Sequence, residues 1–278
     1  MDQTTLLAIH DFECESLQVD WGHWAGHFRR NANRPFPEIR DPAFGLTRQT
    51  RCFVARSLAI FQLGEAGEGR IAKEIDSVSL FGVDENYREA LKLFVREEGR
   101  HARILGDCVT QLGGELIQSN WTERLFRTGR RLLGIRLKLL VLLVAEVVGI
   151  CFYRKLADKL PPGAIRKALM EIISDERKHL RFHAKFFGIR VRNEFSRLLF
   201  VFLWRALALA ACASVLWDHR STFQVLGVSF REAIAKFSKL TLVTERRITQ
   251  WNSQVSEFRE EPWFKYSGSA PDETEVVQ

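Results

Sequence analysis

Two Glu-x-x-His pairs, Glu98-x-x-His101 and Glu176-x-x-His179, constrain this chain more than any other feature in it. On a helix, a spacing of three places both side chains on one face, converging on one point. Each pair follows another glutamate thirty residues upstream, Glu68 and Glu146 respectively, so the pattern forms a twofold internal repeat. Those two glutamates interrupt apolar stripes at helical spacing. One runs Val54, Phe61, Gly64, Glu68, Ile71, Ile75, and the other Leu139, Leu142, Glu146, Gly149, Tyr153, Leu156. A carboxylate inside a core-facing stripe is costly unless it is paired, protonated or bound to a metal.

Four such carboxylates and two imidazoles point to a shared cation that offsets the cost of burial. One Glu from each of two helices with Glu-x-x-His from two others is the pattern of dinuclear iron or manganese bundle sites. Carboxylate and imidazole suit those metals, and the absence of cysteine from the motifs argues against a zinc thiolate site. Two-metal sites hold their ions about 3.5–4 Å apart, a span that bridging carboxylates can cover. Glu98 and Glu176 take the bridging role, Glu68 and Glu146 are terminal, and His101 and His179 supply one imidazole per metal. Glu65, one turn before Glu68, is the alternative helix-one ligand; Glu68 is preferred for its equal spacing in both halves.

Several neighbours have two readings. Tyr153 is either a redox neighbour of the site or a core tyrosine. His183, one turn past His179, is either an extra ligand or a partner orienting one. Glu97 and Asp175, each one residue before a motif glutamate, either accept from the ligating histidines or, as preferred, face outward on the far side of their helices. His23 and His27 belong to an aromatic-rich stretch read as a lid or packing segment rather than a second metal site.

Composition supports an ordinary folded chain, with 46% apolar and 27% charged residues over 278 positions. No proline lies between Pro42 and Pro161, which permits long helices there. Helices are expected at about Gln49–Ser79, Asp84–Leu112, Ile135–Leu160 and from after Pro161-Pro162-Gly163 to Gly188. A fifth covers Leu198–Trp217 and a sixth Ser229–Glu257, with a crossover over 113–134. A glycine-rich stretch, Gly64-Glu65-Ala66-Gly67-Glu68-Gly69, falls inside the first helix, whose periodicity continues in phase across it. The organisation expected is an N-terminal segment (1–47), a four-helix unit (48–188), a helical extension (189–260) and a disordered tail (261–278).

The window Leu198–Trp217 is apolar enough to span a membrane, but Arg205 near its centre would cost about 2.5–3.5 kcal/mol, so a covering helix is preferred. The net charge of +7 leaves an anionic partner open. The basic residues at 124–138 alternate with leucines as a solvated helix face would, and no nucleic-acid motif is present, so nucleic acid is not expected. Five cysteines without CxxC spacing argue against a disulfide framework. With no basic-then-apolar start, a cytoplasmic chain is expected, with membrane association and a homodimer left open.

Over about residues 50–187 the chain resembles the ferritin-like superfamily of di-iron carboxylate proteins. The stretches Phe61-Gln62-Leu63-Gly64-Glu65, Asp175-Glu176, His179 and Phe182-His183 are similar to an uncharacterised bacterial branch of ferritin-like domain proteins. The resemblance implies an all-α four-helix bundle, here with an added N-terminal segment and two C-terminal helices, around two iron ions (manganese being the alternative). It does not supply a substrate, since the superfamily includes oxygenases, oxidases, peroxidases and iron stores. An oxidoreductase using O2 or peroxide on a small or lipid-like substrate is expected, with its electron donor unassigned. A storage protein and a metal-free interaction module are the alternatives. Storage cages of the superfamily use a shorter chain, and the extension after Gly188 fits them poorly.

Overall fold

A computed structural model describes residues 19–40, 45–67, 69–122, 124 and 134–251. Among these residues the elements are helices, with no strand: α1 Trp21–Asn31, α2 Arg48–Glu65, α3 Gly69–Glu74, α4 Glu85–Gln111, α5 Ile135–Lys159, α6 Ala164–Gly188, α7 Glu194–Asp218, α8 Arg220–Val225 and α9 Phe230–Thr249. A 3-10 turn, Ile75–Ser77, follows α3. The short apolar piece before residue 19, most of the 113–134 crossover's second half and the tail after 251 lie outside the described residues.

Local signals set the helix ends. The Asp84 carboxylate accepts from the Tyr87 amide at 2.8 Å and starts α4. At its other end Gly113 adopts φ +75°, and the Gly114 and Gly113 amides donate back to Val109 and Thr110. That is a Schellman closure, which needs a residue free of a Cβ at the left-handed position. Asn193 and Ser196 form a reciprocal capping box at the start of α7.

The expected first helix is broken. α2 ends at Glu65 with Ala66 as its cap, and the Gly67 amide turns back to the Gly64 carbonyl. In-phase periodicity favoured one long helix, but two glycines three residues apart remove much of the cost of leaving it. The break places Glu65 on the last helical turn; Glu68 lies outside the described residues.

α2 packs along α4 and α5 along α6, and the two pairs meet through α4 and α6. α5 is buried on nearly every side, since α6, α7 and α9 all rest on it. α1 lies on α4, bringing Trp21, Trp24 and Phe28 against Tyr87, Phe94 and Phe182. The apolar core falls into two clusters. One surrounds these aromatics; the other joins Leu58, Ile104, Leu105, Tyr153, Leu169 and Ile172. Along α4 and α6 the motif acids and histidines sit between the two.

α7 turns one face inward through Phe200, Trp204, Ala208 and Ala211 and is tied to α9. Trp204 donates to the Thr241 carbonyl, and Arg205 makes a forked pair with Glu245 at 2.7 and 2.8 Å. Arg205 therefore satisfies its charge at the flank of the helix. By length and composition α7 can cross a membrane, but only 22% of its most apolar window is buried.

Candidate metal centre

Glu98 and His101 on α4 and Glu176 and His179 on α6 are all buried, with one donor atom from each lying within 4.8 Å of all the others. Each histidine turns Nδ1 toward the carboxylates. His179 Nδ1 lies 2.8 Å from Glu98 Oε1, 3.1 Å from Glu176 Oε2 and 3.7 Å from Glu146 Oε2. His101 Nδ1 lies 3.2 Å from Glu176 Oε1 and 3.8 Å from Glu98 Oε1. Glu176 thus offers one oxygen to each histidine. Among the described residues, Glu98 Oε1 and His101 Nδ1 are buried and, for all these close approaches, have no partner at a hydrogen-bonding angle. Native interiors rarely leave such atoms unmatched without a ligand, ion or water to meet them.

Glu65 from α2 and Glu146 from α5 lie beside this group, close enough to Glu98 and Glu176 to be repelled by them. Burial, then repulsion from Glu98 and Glu176, pushes the Glu65 carboxyl well above its ordinary range. Burial and then Glu176 and Glu98 do the same to Glu146. The histidines go the other way. Burial opposes their charge, but acidic neighbours outweigh it, raising His101 to about 10 and His179 well above its usual value. Without a cation, this centre gathers protons to balance its carboxylates. Two divalent cations would match the charge of Glu65, Glu98, Glu146 and Glu176, and carboxylate with imidazole is a donor set that iron and manganese accept. The buried Glu/His group can therefore hold metal.

The opposite ring nitrogens carry a second layer. His101 Nε2 faces Asp175 Oδ2 at 3.3 Å, and His179 Nε2 faces Glu97 Oε2 at 3.0 Å. Each histidine is thereby oriented by an acid from the other helix pair, an arrangement that fixes the tautomer and leaves Nδ1 for the centre. Burial works against ionisation of both acids. The His179 hydrogen bond nevertheless holds Glu97 below its usual range, and the His101 and Arg34 bonds hold Asp175 below its own. The outward placement preferred for Glu97 and Asp175 on sequence grounds is thus corrected: both are buried.

What buries them is the connector after α1. Arg34 Nη2 bridges Glu97 Oε1 at 2.8 Å and Asp175 Oδ2 at 2.5 Å, and Asn31 adds a bond to Glu97 at 2.9 Å. Arg100 extends this layer to Glu171 at 2.8 Å and to the Pro35 carbonyl. No sequence motif marks Arg34; only its position after an aromatic helix rich in packing residues hinted at a covering role. His23 is exposed, and His27, half-buried, contacts Asn31 rather than the centre.

Tyr153 donates its hydroxyl to Glu65 Oε1 at 2.7 Å, so it touches the centre while filling the core. His183 is fully buried between Phe94 and Phe182, and among the described residues neither ring nitrogen has a hydrogen-bond partner. Burial, then His179, lowers its pKa to about 3. An unmatched buried polar group costs about 1–3 kcal/mol. His183→Leu is expected to raise the melting temperature of metal-stripped protein by about 3 °C, read by calorimetry. A fall instead would show that the imidazole has a stabilising partner.

A cavity of about 140 Å³ reaches the centre. Glu65, Glu98, Glu146 and Glu176 form its polar end, and Phe61, Val141, Leu142, Val148 and Val215 its apolar walls. Ala145, on its rim, is exposed, so the cavity opens to the surface between α5 and α7. Comparison with protein-family models, curated proteins and solved structures finds no match for this chain.

Proposed function

We propose that this chain is a ferritin-like, dinuclear metal oxidoreductase that uses O2 or peroxide on a small or lipid-like substrate. Two iron ions, or manganese in their place, are held by Glu65, Glu98, His101, Glu146, Glu176 and His179. The observation that carries the reading is the double layer around the two histidines: Nδ1 toward buried carboxylates and Nε2 toward Asp175 and Glu97. Buried ion pairs alone would not need two histidines held in matching tautomers by acids from opposite helix pairs. A reduced iron pair supplies two electrons to O2 or peroxide. The chain's own part is to bind that pair through four carboxylates, fix both imidazoles, and admit a substrate through the apolar cavity. Tyr153, hydrogen-bonded to Glu65, holds a proton at the centre's edge. His183, unmatched one turn beyond His179, keeps a neutral imidazole near it.

The cavity favours an enzyme over an iron store, since storage needs entry for ions rather than an apolar pocket. Oxygen uptake by metal-loaded protein supplied with a chemical reductant tests this. Uptake at catalytic turnover supports the proposal; retention of many irons per chain in a large assembly would replace it with storage.

A membrane surface is the partner proposed for α7. Phe195, Leu198, Phe202, Leu209 and Trp217 lie on one face of it, with exposures of 75, 66, 69, 73 and 64%. At 1.5 Å per residue this stripe is about 33 Å long, larger than the scattered apolar surface of ordinary soluble proteins. With a net charge of +7, an anionic bilayer suits the chain better than a neutral one. The chain is expected to sediment with vesicles rich in phosphatidylglycerol and less with phosphatidylcholine. Replacing Phe202 and Leu209 together by Glu should weaken that binding about tenfold or more. Unchanged sedimentation, or a dimer that those substitutions dissociate, would overturn the membrane assignment.

A further inference from the structure

His219 lies at the junction of α7 and α8, is 3% exposed, and forms part of the wall of the cavity that reaches the centre. Its Nδ1 is 2.7 Å from Ser57 Oγ, and Ser57 Oγ is 2.7 Å from Thr222 Oγ1. Thr222 donates its one hydroxyl proton to the Phe53 carbonyl at 2.8 Å. Each hydroxyl has a single proton to give. Thr222 therefore accepts from Ser57, and Ser57, its proton used, accepts from His219. The chain of bonds runs in one direction and places the imidazole proton on Nδ1. Nε2 is left as a lone pair without a protein partner among the described residues.

The rings of Phe61 and Phe152 pack against His219 at 5.1 and 4.8 Å. Of its charged neighbours, Asp218 already accepts from Asn120 at 2.6 Å and Thr122 at 3.0 Å. Burial lowers the imidazole pKa to about 4, so the ring is neutral near pH 7. Between His219 and the glutamates at the other end, Phe61, Val141, Leu142, Val148 and Val215 give the cavity an apolar stretch, with Thr122, Ser214 and Asp218 also on its wall, and a cavity of this size holds roughly one benzene-sized ring.

We infer that His219 Nε2 is the recognition element of a ligand site in this cavity, selecting mostly apolar, uncharged molecules that carry one hydroxyl or N–H donor. An apolar body fills the apolar stretch, and the donor meets the lone pair that no described residue occupies. An ionised ligand would lose its solvation along the apolar stretch, and an anion would also face the glutamates at the cavity's other end. This names the substrate class of the oxidoreductase and rests on that reading only for what becomes of the molecule once bound.

The test compares p-cresol with p-xylene, which differ by a hydroxyl in place of a methyl, by calorimetric titration of the full chain. His219→Asn keeps an N–H for Ser57 but removes the acceptor at Nε2. The preference for p-cresol over p-xylene is expected to fall about tenfold in that variant. His219→Gln, which carries an amide oxygen further out, should recover part of it. Titrations run on both metal-loaded and metal-stripped protein separate this from direct ligation of the phenol oxygen by metal. Metal content, measured alongside, is expected to be unchanged in both variants. A p-cresol to p-xylene ratio that stays within about twofold of the native value overturns the inference, whatever the metal content. If His219→Asn does not fold, the native protein decides: a p-cresol affinity no higher than that of toluene overturns the inference, and a clear excess supports it. Loss of metal binding in the native chain, with the ratio still changing, would overturn the oxidoreductase reading alone.

Discussion

Glu176→Ala is expected to leave the protein with one bound metal or none, against about two per chain in the native form. Its two oxygens lie 3.2 and 3.1 Å from the Nδ1 atoms of His101 and His179, so one carboxylate serves both imidazoles. Removing it takes a donor from each ion at once. Glu98→Ala should act similarly, because Glu98 Oε1 also lies within 4 Å of both nitrogens. Of the two imidazoles Glu146 approaches His179, at 3.7 Å, so Glu146→Ala is expected to retain one ion. Elemental analysis after metal loading and desalting checks all three. Undiminished metal in both Glu98→Ala and Glu176→Ala would contradict the assignment of ligands.

Arg34→Ala has the largest expected effect outside the centre. Its guanidinium is the cation shared by Glu97 and Asp175, whose side chains are 4 and 5% exposed. Removing one partner of a buried charge pair costs about 3–5 kcal/mol. Arg34 keeps 30% of its side chain in solvent, so screening reduces this to about 2–3 kcal/mol. For a chain of this size the melting temperature should fall by about 5–10 °C. Metal affinity should fall as well, by about 10–100-fold, because both histidines lose the fixed acids that orient them. Arg34→Lys should recover part, since an ammonium can meet both acids as Nη2 does but cannot also approach Glu171 as Nη1 does at 3.9 Å. A melting temperature within a degree of native, with unchanged metal affinity, would show that the bridge orients nothing.

The core of the centre was legible in the sequence because its chemistry repeats. Two Glu-x-x-His pairs on apolar helices left little choice but a shared interior point, and Glu98, His101, Glu176 and His179 meet there. Helix ends at Asp84, Gly113 and the Pro-Pro-Gly turn were equally readable, since capping and breaking chemistry is local. The layer behind the histidines was not. Glu97 and Asp175 sit about 100° around their helices from the motif glutamates, where an acid normally faces water. Only the arrival of the connector bearing Arg34, from some sixty and a hundred and forty residues away in sequence, makes them interior. The helix break before Glu68 was hidden for a related reason: periodicity continues across a kink, and only backbone conformation reports that Glu65 takes the final turn. Hydropathy likewise cannot tell a core-facing side of α7 from a side left for lipid or a partner. His219 carried no motif at all, because its role depends on a hydrogen-bond direction set by Ser57 and Thr222 on different elements.

The most direct measurement is an anaerobic titration of metal-stripped protein with Fe(II), followed by calorimetry. The proposed six donors from four helices predict saturation at about two ions per chain. No binding, or uptake that continues well past two, would contradict the centre described here.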